Sequence, residues 1–354
     1  MPDGADPRGR ELIDLLARDH ALAPECYEEL VRSFSPALAA YAAERAVAAR
    51  REVYGDEVFV RGLIEVSSHC RNDCRYCGLR RSNRSAERYR LAPEEVLSCC
   101  DTGYELGFRT FVLQGGEDPA LTDAVVCDMV SRIKAAHPDC AVTLSLGERS
   151  RASYQALRDA GADRYLLRHE TADAAHYARL HPSELTLERR LACLRDLREI
   201  GYQVGCGFMV GSPGQTSATL AEDLRLVEEL RPEMCGIGPF VPHHATPFAE
   251  EPAGSVELTC YLLSLLRLID PRLLLPATTA LATLDPRGRE RGMLAGANVA
   301  MPNLSPMDAR EKYELYDNKA HAGSEAAEGL AELRRRMESV GCRVVVDRGD
   351  ARRR

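Results

Sequence analysis

No apolar run in the 354-residue sequence approaches the roughly 20 residues that a membrane-spanning helix needs. Met1 to Asp19 contain neither an apolar core nor a small-residue cleavage site, so export by a signal peptide is not expected and a cytoplasmic location is. Positive charge is also scarce. Lys and Arg total 46 against 54 Asp and Glu, a formal net charge of −8. That argues against a general binder of nucleic acid or anionic membrane, since both require a basic field. The 13 cysteines follow no regular spacing outside one group of three. A chain of this length without an export signal reads as carrying reduced thiols rather than a disulfide framework. Cys127, Cys193, Cys206 and Cys235 sit in apolar segments and read as small hydrophobes. No internal repeat is visible.

Hydrophobic residues make up 45% of the chain and charged residues 28%, enough apolar surface for a large core. The length fits one large α/β domain with appendages, or two ordinary domains. Residues 9–53 are helical in pattern. From Val58 short apolar runs alternate with longer amphipathic stretches. The runs are 58–67, 110–114, 141–146, 164–168, 203–210, 234–238, 273–277 and 298–301. Helix patterns fall at 93–106, 121–136, 151–160, 186–200, 217–230, 255–269 and 286–295, and the last unit continues at 307–316. Such alternation predicts a parallel sheet. Eight units are also the number that closes a (β/α)8 barrel, with an open doubly wound sheet as the alternative. The expected division is a helical extension at 1–53, the barrel at 54–316 and a C-terminal extension at 317–354. That extension contains a polar link at 317–324, a helix at 325–339, a short run from Arg343 to Val346 and a tail from Arg348 to Arg354 that should be disordered.

The chemistry-bearing segment is Ser67-Ser68-His69-Cys70-Arg71-Asn72-Asp73-Cys74-Arg75-Tyr76-Cys77-Gly78. It follows the first strand, at the end where barrel enzymes place their sites. A closed iron–sulfur cluster takes four cysteines, so three leave one iron open for an external molecule. A structural zinc site wants four ligands, usually as two separated pairs. His69 as the fourth would be strained by its adjacency to Cys70. Around the triad lie Arg71, Arg75, Arg80, Arg81, Arg84, Arg88 and Arg90. They read as a solvated loop, or in part as a balance for an anionic cluster and its ligand.

The C-x3-C-x-aromatic-C spacing resembles the signature of the radical S-adenosylmethionine (SAM) superfamily. That resemblance implies a [4Fe–4S] cluster on Cys70, Cys74 and Cys77 whose open iron chelates SAM, and reductive cleavage of SAM to methionine and a 5′-deoxyadenosyl radical. Further motifs narrow it: Cys77-Gly78-Leu79-Arg80-Arg81-Ser82-Asn83, Val112-Leu113-Gln114-Gly115-Gly116-Glu117, Arg168-His169-Glu170-Thr171, Met209-Val210-Gly211-Ser212-Pro213-Gly214, Gly236-Ile237-Gly238-Pro239-Phe240 and Pro276-Ala277-Thr278-Thr279. In this order, over about residues 58–319, they resemble the HydE family of [FeFe]-hydrogenase maturases more than biotin synthase or methylornithine synthase.

The resemblance implies SAM contacts from Tyr76, Gln114, Gly115, Gly116, Glu170, Arg190, Met234, Tyr313 and Tyr316. A guanidinium such as that of Arg190 suits the SAM carboxylate because it forks onto it. Thr143, Arg168, Thr278 and Thr279, all at expected strand ends, are the expected substrate grip; hydroxyls and one guanidinium suit a carboxylate. The implied substrate is a small iron complex carrying CO, cyanide and cysteine, or an amino-acid-derived molecule. The implied partners are HydG-type and HydF-type maturases, with the electron donor open. A second iron–sulfur site found near the C-terminus of some family members is not expected here, because Cys342 is the one cysteine beyond Cys260. A radical mutase acting on an amino acid and a non-catalytic iron–sulfur scaffold remain the other readings.

Overall fold

The computed structural model describes residues 6–319 and 326–352. Three helices come first: α1 (Pro7–Asp19), α2 (Pro24–Arg32) and α3 (Pro36–Tyr54). Each has proline in its first turn, where no amide donor is needed. The Asp6 and Ser35 side chains cap α1 and α3 by accepting from Gly9 N and Leu38 N. Leu12, Ile13, Leu16, Tyr27, Leu30 and Ala42 turn inward and are wholly buried.

The β–α alternation follows. The run at 58–67 divides at Arg61 into β1 (Glu57–Val60) and β2 (Gly62–Ser67). Next come α4 (Pro93–Glu105), β3 (Thr110–Gly115), α5 (Asp123–Ala136), β4 (Ala141–Ser145), α6 (Arg151–Asp159) and β5 (Arg164–Leu166). A short α7 (Ala174–Leu180) precedes α8 (Leu187–Ile200), β6 (Gln203–Cys206), β7 (Met209–Val210), α9 (Ser217–Leu230), β8 (Met234–Cys235) and β9 (Gly238–Pro239). The chain then forms α10 (Val256–Ile269), α11 (Thr279–Leu284), α12 (Gly288–Leu294), β10 (Val299–Ala300), α13 (Met307–Lys312), α14 (Ala326–Glu338) and β11 (Arg343–Val345).

Six strands form a parallel sheet in the order β2-β3-β4-β5-β6-β8. The seventh run, 273–277, makes single bridges, Met234 to Leu274 on one side and Pro276 to Val299 on the other. β10 in turn pairs with β1 through Phe59–Val299 and Val60–Ala300. The ring therefore closes as a (β/α)8 barrel, and the open-sheet alternative is excluded. Alternate strand residues face opposite ways. Ile64, Val66, Phe111, Leu113, Val142, Leu144, Val204 and Cys206 join the helices in the main core. The intervening Glu65, Gln114, Ser145 and Arg168 point into the lumen.

Three sequence expectations need correction. Thr279 opens a helix, α11, that was not expected; Thr278 holds the N-cap position and turns the chain off the seventh run. The last unit's helix stops at Lys312 instead of reaching 316. The tail is ordered through Arg352 (353–354 lie outside the described residues) and seals the foot of the barrel. The Arg348 carbonyl accepts from Thr110 Oγ1 at 2.7 Å and Arg164 Nη2 at 2.8 Å. Asp350 Oδ1 meets Arg164 Nη2 at 2.5 Å and Gln203 Nε2 at 2.8 Å. The physical reason is that Arg61 and Arg164 are buried at that end and a buried cation requires partners. The tail supplies them, and β11 places it by pairing with β1 from Glu57–Arg343 to Phe59–Val345.

Candidate active site at the barrel mouth

At the carboxyl ends of the strands the lumen opens into a cavity of about 330 Å³. The three-cysteine loop forms one wall. It leaves β2 at Ser67, whose hydroxyl donates to Asp118 Oδ2 at 2.6 Å. Arg71 N donates to the Glu117 carbonyl at 2.9 Å, so the loop is stitched to the turn after β3. Gly116 makes that approach possible: a Cβ there would lie 2.3 Å from the His69 carbonyl and 2.7 Å from Cys70 Cβ.

Four of the seven arginines organise the loop. Arg88 donates to the carbonyls of Ser68, Leu79, Arg80 and Asn83. Arg80 forks onto Asp73 with two 2.8 Å bonds. Arg90 pairs with Asp118 and Arg71 with Glu117. Arg75, Arg81 and Arg84 stay exposed.

Cys70, Cys74 and Cys77 are free and half-buried. Burial pushes the Cys77 thiol up to about 12, and Cys70 adds to it by charge repulsion. Cys74 is raised by burial and by its two partner cysteines. Three neighbouring thiols that resist ionisation suit a bound cationic centre, which reverses that balance. One ion does not suit them. Zinc–sulfur bonds of about 2.3 Å put thiolates roughly 3.8 Å apart. Among the described residues, His243, His244 and Asp317 form the one trio with ligating atoms within 4.8 Å of one another; the loop thiols are spread wider, as a polynuclear cluster needs. In the histidine trio, His243 Nδ1 accepts from Ala245 N at 3.0 Å. This leaves its proton on Nε2, facing Asp317, where a metal would need a lone pair.

Most of the expected residues line this one cavity. Tyr76, Gln114, Gly115, Gly116, Glu170, Arg190, Met234, Tyr313 and Tyr316 do, and so do Arg168, Thr278 and Thr279. Thr143 does not. It lies one layer deeper, on a small void shared with Arg61 and Arg164. Tyr76 packs its ring edge-on to His181 with centroids 5.5 Å apart.

Glu170 sits after β5 in a left-handed conformation, φ 67°, which is rare for a side-chain-bearing residue. Its backbone is gripped by the β6–β7 link, through Glu170 N to the Gly207 carbonyl at 3.0 Å and Met209 N to the Glu170 carbonyl at 3.2 Å. Behind it the wholly buried His169 faces Asp223 on α9 at 3.3 Å. Asp223 Oδ1 also accepts from Ala172 N at 2.6 Å. The turn is thus fixed from both sides and its carboxylate aims into the cavity. Arg168 Nη2 lies 3.2 Å from Glu170 Oε2, but out of line, so neither atom is hydrogen-bonded; Thr278 Oγ1 is also buried without a partner. Unspent polar groups are costly in a water-poor site and await a ligand. Arg190, on α8, is held by Glu148 at 2.7 Å and donates to the Arg168 carbonyl.

Sequence reasoning missed Glu65 and Lys319. Lys319 Nζ meets Glu65 Oε1 at 2.5 Å and the Tyr313 carbonyl at 3.0 Å, with both side chains buried. Asn303 Nδ2 donates to the other Glu65 oxygen at 2.8 Å. The signal was a carboxylate inside an apolar strand, Leu63-Ile64-Glu65-Val66. The pair fastens residues 313–319 across the mouth. Gly78 N ties the same strap to the cysteine loop through the Leu315 carbonyl at 2.8 Å, and Asp317 Oδ2 accepts from His244 N at 2.8 Å.

A closed β/α barrel with a three-cysteine loop at its mouth, Cys70 and Cys77 lining one cavity with unspent polar groups, is the arrangement expected of a radical SAM enzyme. The Radical SAM superfamily profile matches residues 64–227. Over 314 residues the chain is 45% identical to the [FeFe] hydrogenase maturase subunit HydE of Thermotoga maritima, covering 88% of each chain. It is 27% identical over 295 residues to 3-methylornithine synthase of Methanosarcina acetivorans, covering 82% of this chain and 81% of that one. The crystal structure of methylornithine synthase superposes with a TM-score of 0.83 at 25% identity, covering 94% of this chain and 97% of the other. The chain belongs to the radical SAM superfamily and, within it, to the HydE family. Membership implies a [4Fe–4S] cluster and SAM, and the donor set of the loop fits both. No helix among the described residues is long and apolar enough to cross a membrane.

Proposed function

We propose that the protein cleaves SAM reductively and uses the resulting radical on a small iron complex carrying CO, cyanide and cysteine, during assembly of the di-iron centre of [FeFe]-hydrogenase. The observation that carries this reading is the convergence of Cys70 and Cys77, the Glu170–Arg168 ion pair with its unspent hydrogen-bonding atoms and the unpartnered Thr278 hydroxyl on one cavity, in a chain 45% identical to a hydrogenase maturase. Cys70, Cys74 and Cys77 hold the cluster; when bound, it supplies the electron that splits SAM into methionine and a 5′-deoxyadenosyl radical. Glu170 receives the SAM amino or ribose groups and Arg190 its carboxylate. Tyr76 borders the adenine, Gln114 to Gly116 offer backbone groups, and Met234, Tyr313 and Tyr316 enclose the cofactor. Arg168, Thr278 and Thr279 grip the substrate, with the unpartnered Thr143 hydroxyl one layer deeper in the lumen. HydG-type and HydF-type maturases supply the substrate and receive the product.

The test is anaerobic reconstitution with SAM and the product of HydG, followed by activation of apo-hydrogenase. Thr278→Val with Thr279→Val removes two donors with little change in volume. We expect cluster content and uncoupled SAM cleavage to persist while hydrogenase activation falls strongly. Unchanged activation would make both threonines structural. It would also favour an amino-acid mutase, the second reading, which rests on the likeness to methylornithine synthase.

A further inference from the structure

We infer that the outer rim of the three-cysteine loop docks a small acidic protein that carries one electron at a time. The inference rests on the SAM-cleaving function proposed above. In a chain of net charge −8, residues 71–90 hold seven arginines against Asp73 and Glu87. Arg71, Arg80, Arg88 and Arg90 are spent on the loop itself. Arg75, Arg81 and Arg84 are not; they face solvent, and the exposed Arg179 at the end of α7 joins them. Arg75 Nη1 reaches the Arg179 carbonyl at 3.5 Å, which joins loop and helix into one surface. Arg81 meets Glu184 at 3.4 Å with both side chains more than half exposed, so water and salt screen that pair. Among the described residues no carboxylate lies within ion-pair distance of Arg84 or Arg179.

Like charges left unpaired on one surface repel each other and add nothing to the fold. They do create a field that steers an anionic partner. Their position specifies which partner. Arg75 lies between Cys74 and Cys77 in the chain, so the patch stands on the outer side of the thiols whose inner side faces the cavity. The electron therefore enters beside the loop. It leaves the carrier, which is oxidised by one electron, and would reduce by one electron the [4Fe–4S] cluster that Cys70, Cys74 and Cys77 would hold; no atom is transferred.

The test uses the reconstituted full chain, a reduced acidic flavodoxin as probe and dithionite as a small-molecule reductant. The charge-reversed variant carries Arg81→Glu, Arg84→Glu and Arg179→Glu. A control carries Arg18→Glu, Arg32→Glu and Arg335→Glu, arginines more than two-thirds exposed elsewhere, for the same change in net charge. We expect flavodoxin-driven deoxyadenosine formation, and binding of oxidised flavodoxin read by interferometry, to weaken about tenfold or more in the first variant and to change little in the control. Wild-type binding should fall as salt rises, and that dependence should flatten in the first variant. Dithionite-driven cleavage and iron content should be the same in all three proteins. Equal binding by wild type and the first variant, or equal loss in the control, overturns the inference. Loss of dithionite-driven cleavage in the first variant overturns it too, by assigning the arginines to the site. Absence of dithionite-driven cleavage in wild type sinks the SAM-cleaving function instead, and the binding arm still decides the surface.

Discussion

Each cysteine of the triad carries a third of a ligand set that cannot be reduced, because two thiolates do not hold a cubane with an open iron. Cys70→Ala, Cys74→Ala and Cys77→Ala are each expected to abolish deoxyadenosine formation, whereas Cys99→Ala and Cys260→Ala should keep it. Product from all three triad variants at wild-type rates would end the assignment. Glu170→Ala and Arg190→Ala separate cofactor binding from cluster assembly. Each removes hydrogen bonds to a charged group, worth about 1.5–3 kcal/mol, so SAM affinity should drop roughly ten- to a hundredfold with iron content unchanged. Calorimetry showing normal SAM binding by both variants would place the cofactor elsewhere. The spacing of the triad and the Arg168-His169-Glu170-Thr171 run stand out in the sequence, and the structure brings Glu170 and Arg190 to the same cavity as Cys70 and Cys77. The Glu65–Lys319 pair was not legible in the sequence, since nothing local to either residue announces a partner some 250 positions away. Thr143 lies one layer deeper than Arg168, Thr278 and Thr279; the strand-end rule names the strand but not the height of a side chain within the lumen.

Among the elements, the β–α order could be read because apolar runs and amphipathic stretches differ in period. The seventh unit was harder. Pro276 cannot donate to a ladder, and Thr278-Thr279 continues a β-branched texture where the chain in fact turns into α11. Residues 313–316 of the strap were read as the end of a helix and 317–319 as part of a polar link, although Lys319 and Asp317 hold the segment as bends and a turn over the mouth. Its anchoring sets a sharp expectation. Lys319→Met leaves the Glu65 carboxylate buried without its cation, at a cost of about 3–5 kcal/mol. The double variant Glu65→Met, Lys319→Met removes both charges and should recover most of that loss, as buried pairs replaced by apolar residues commonly do. Urea denaturation of the two variants checks this; a double variant as unstable as the single one would show that the strap is not held by the ion pair.

For the whole molecule, the foot of the barrel ties stability to pH. Arg164 buried beside it, together with Gln203 and Arg348, holds the Asp350 carboxyl well below the usual carboxylate range against the opposing effect of burial. A depressed carboxyl stabilises the fold above its unfolded value of about 3.9, and the contribution is lost as pH falls below that value toward the folded one. Asp350→Asn should lower stability at neutral pH by at most about 1.5–3 kcal/mol, reduced by the solvent that reaches this side chain. The variant should also lose less stability than wild type between pH 5 and acid. Parallel acid curves for the two proteins would refute the linkage. The tail was expected to be disordered because its composition is charged and short of apolar residues; the buried arginines that recruit it are spread over the first and fourth strand positions and are visible as a group only in the closed ring.

The pairing of β1 has a consequence in time. Its two neighbours, β10 and β11, follow it far along the chain, so Val58, Phe59 and Val60 leave the ribosome with both edges bare and stay so until those strands are made. Domains whose pairing joins distant parts of the chain fold slowly and expose unpaired strand to neighbours meanwhile. This barrel carries an open seam at its first strand until β10 and β11 emerge.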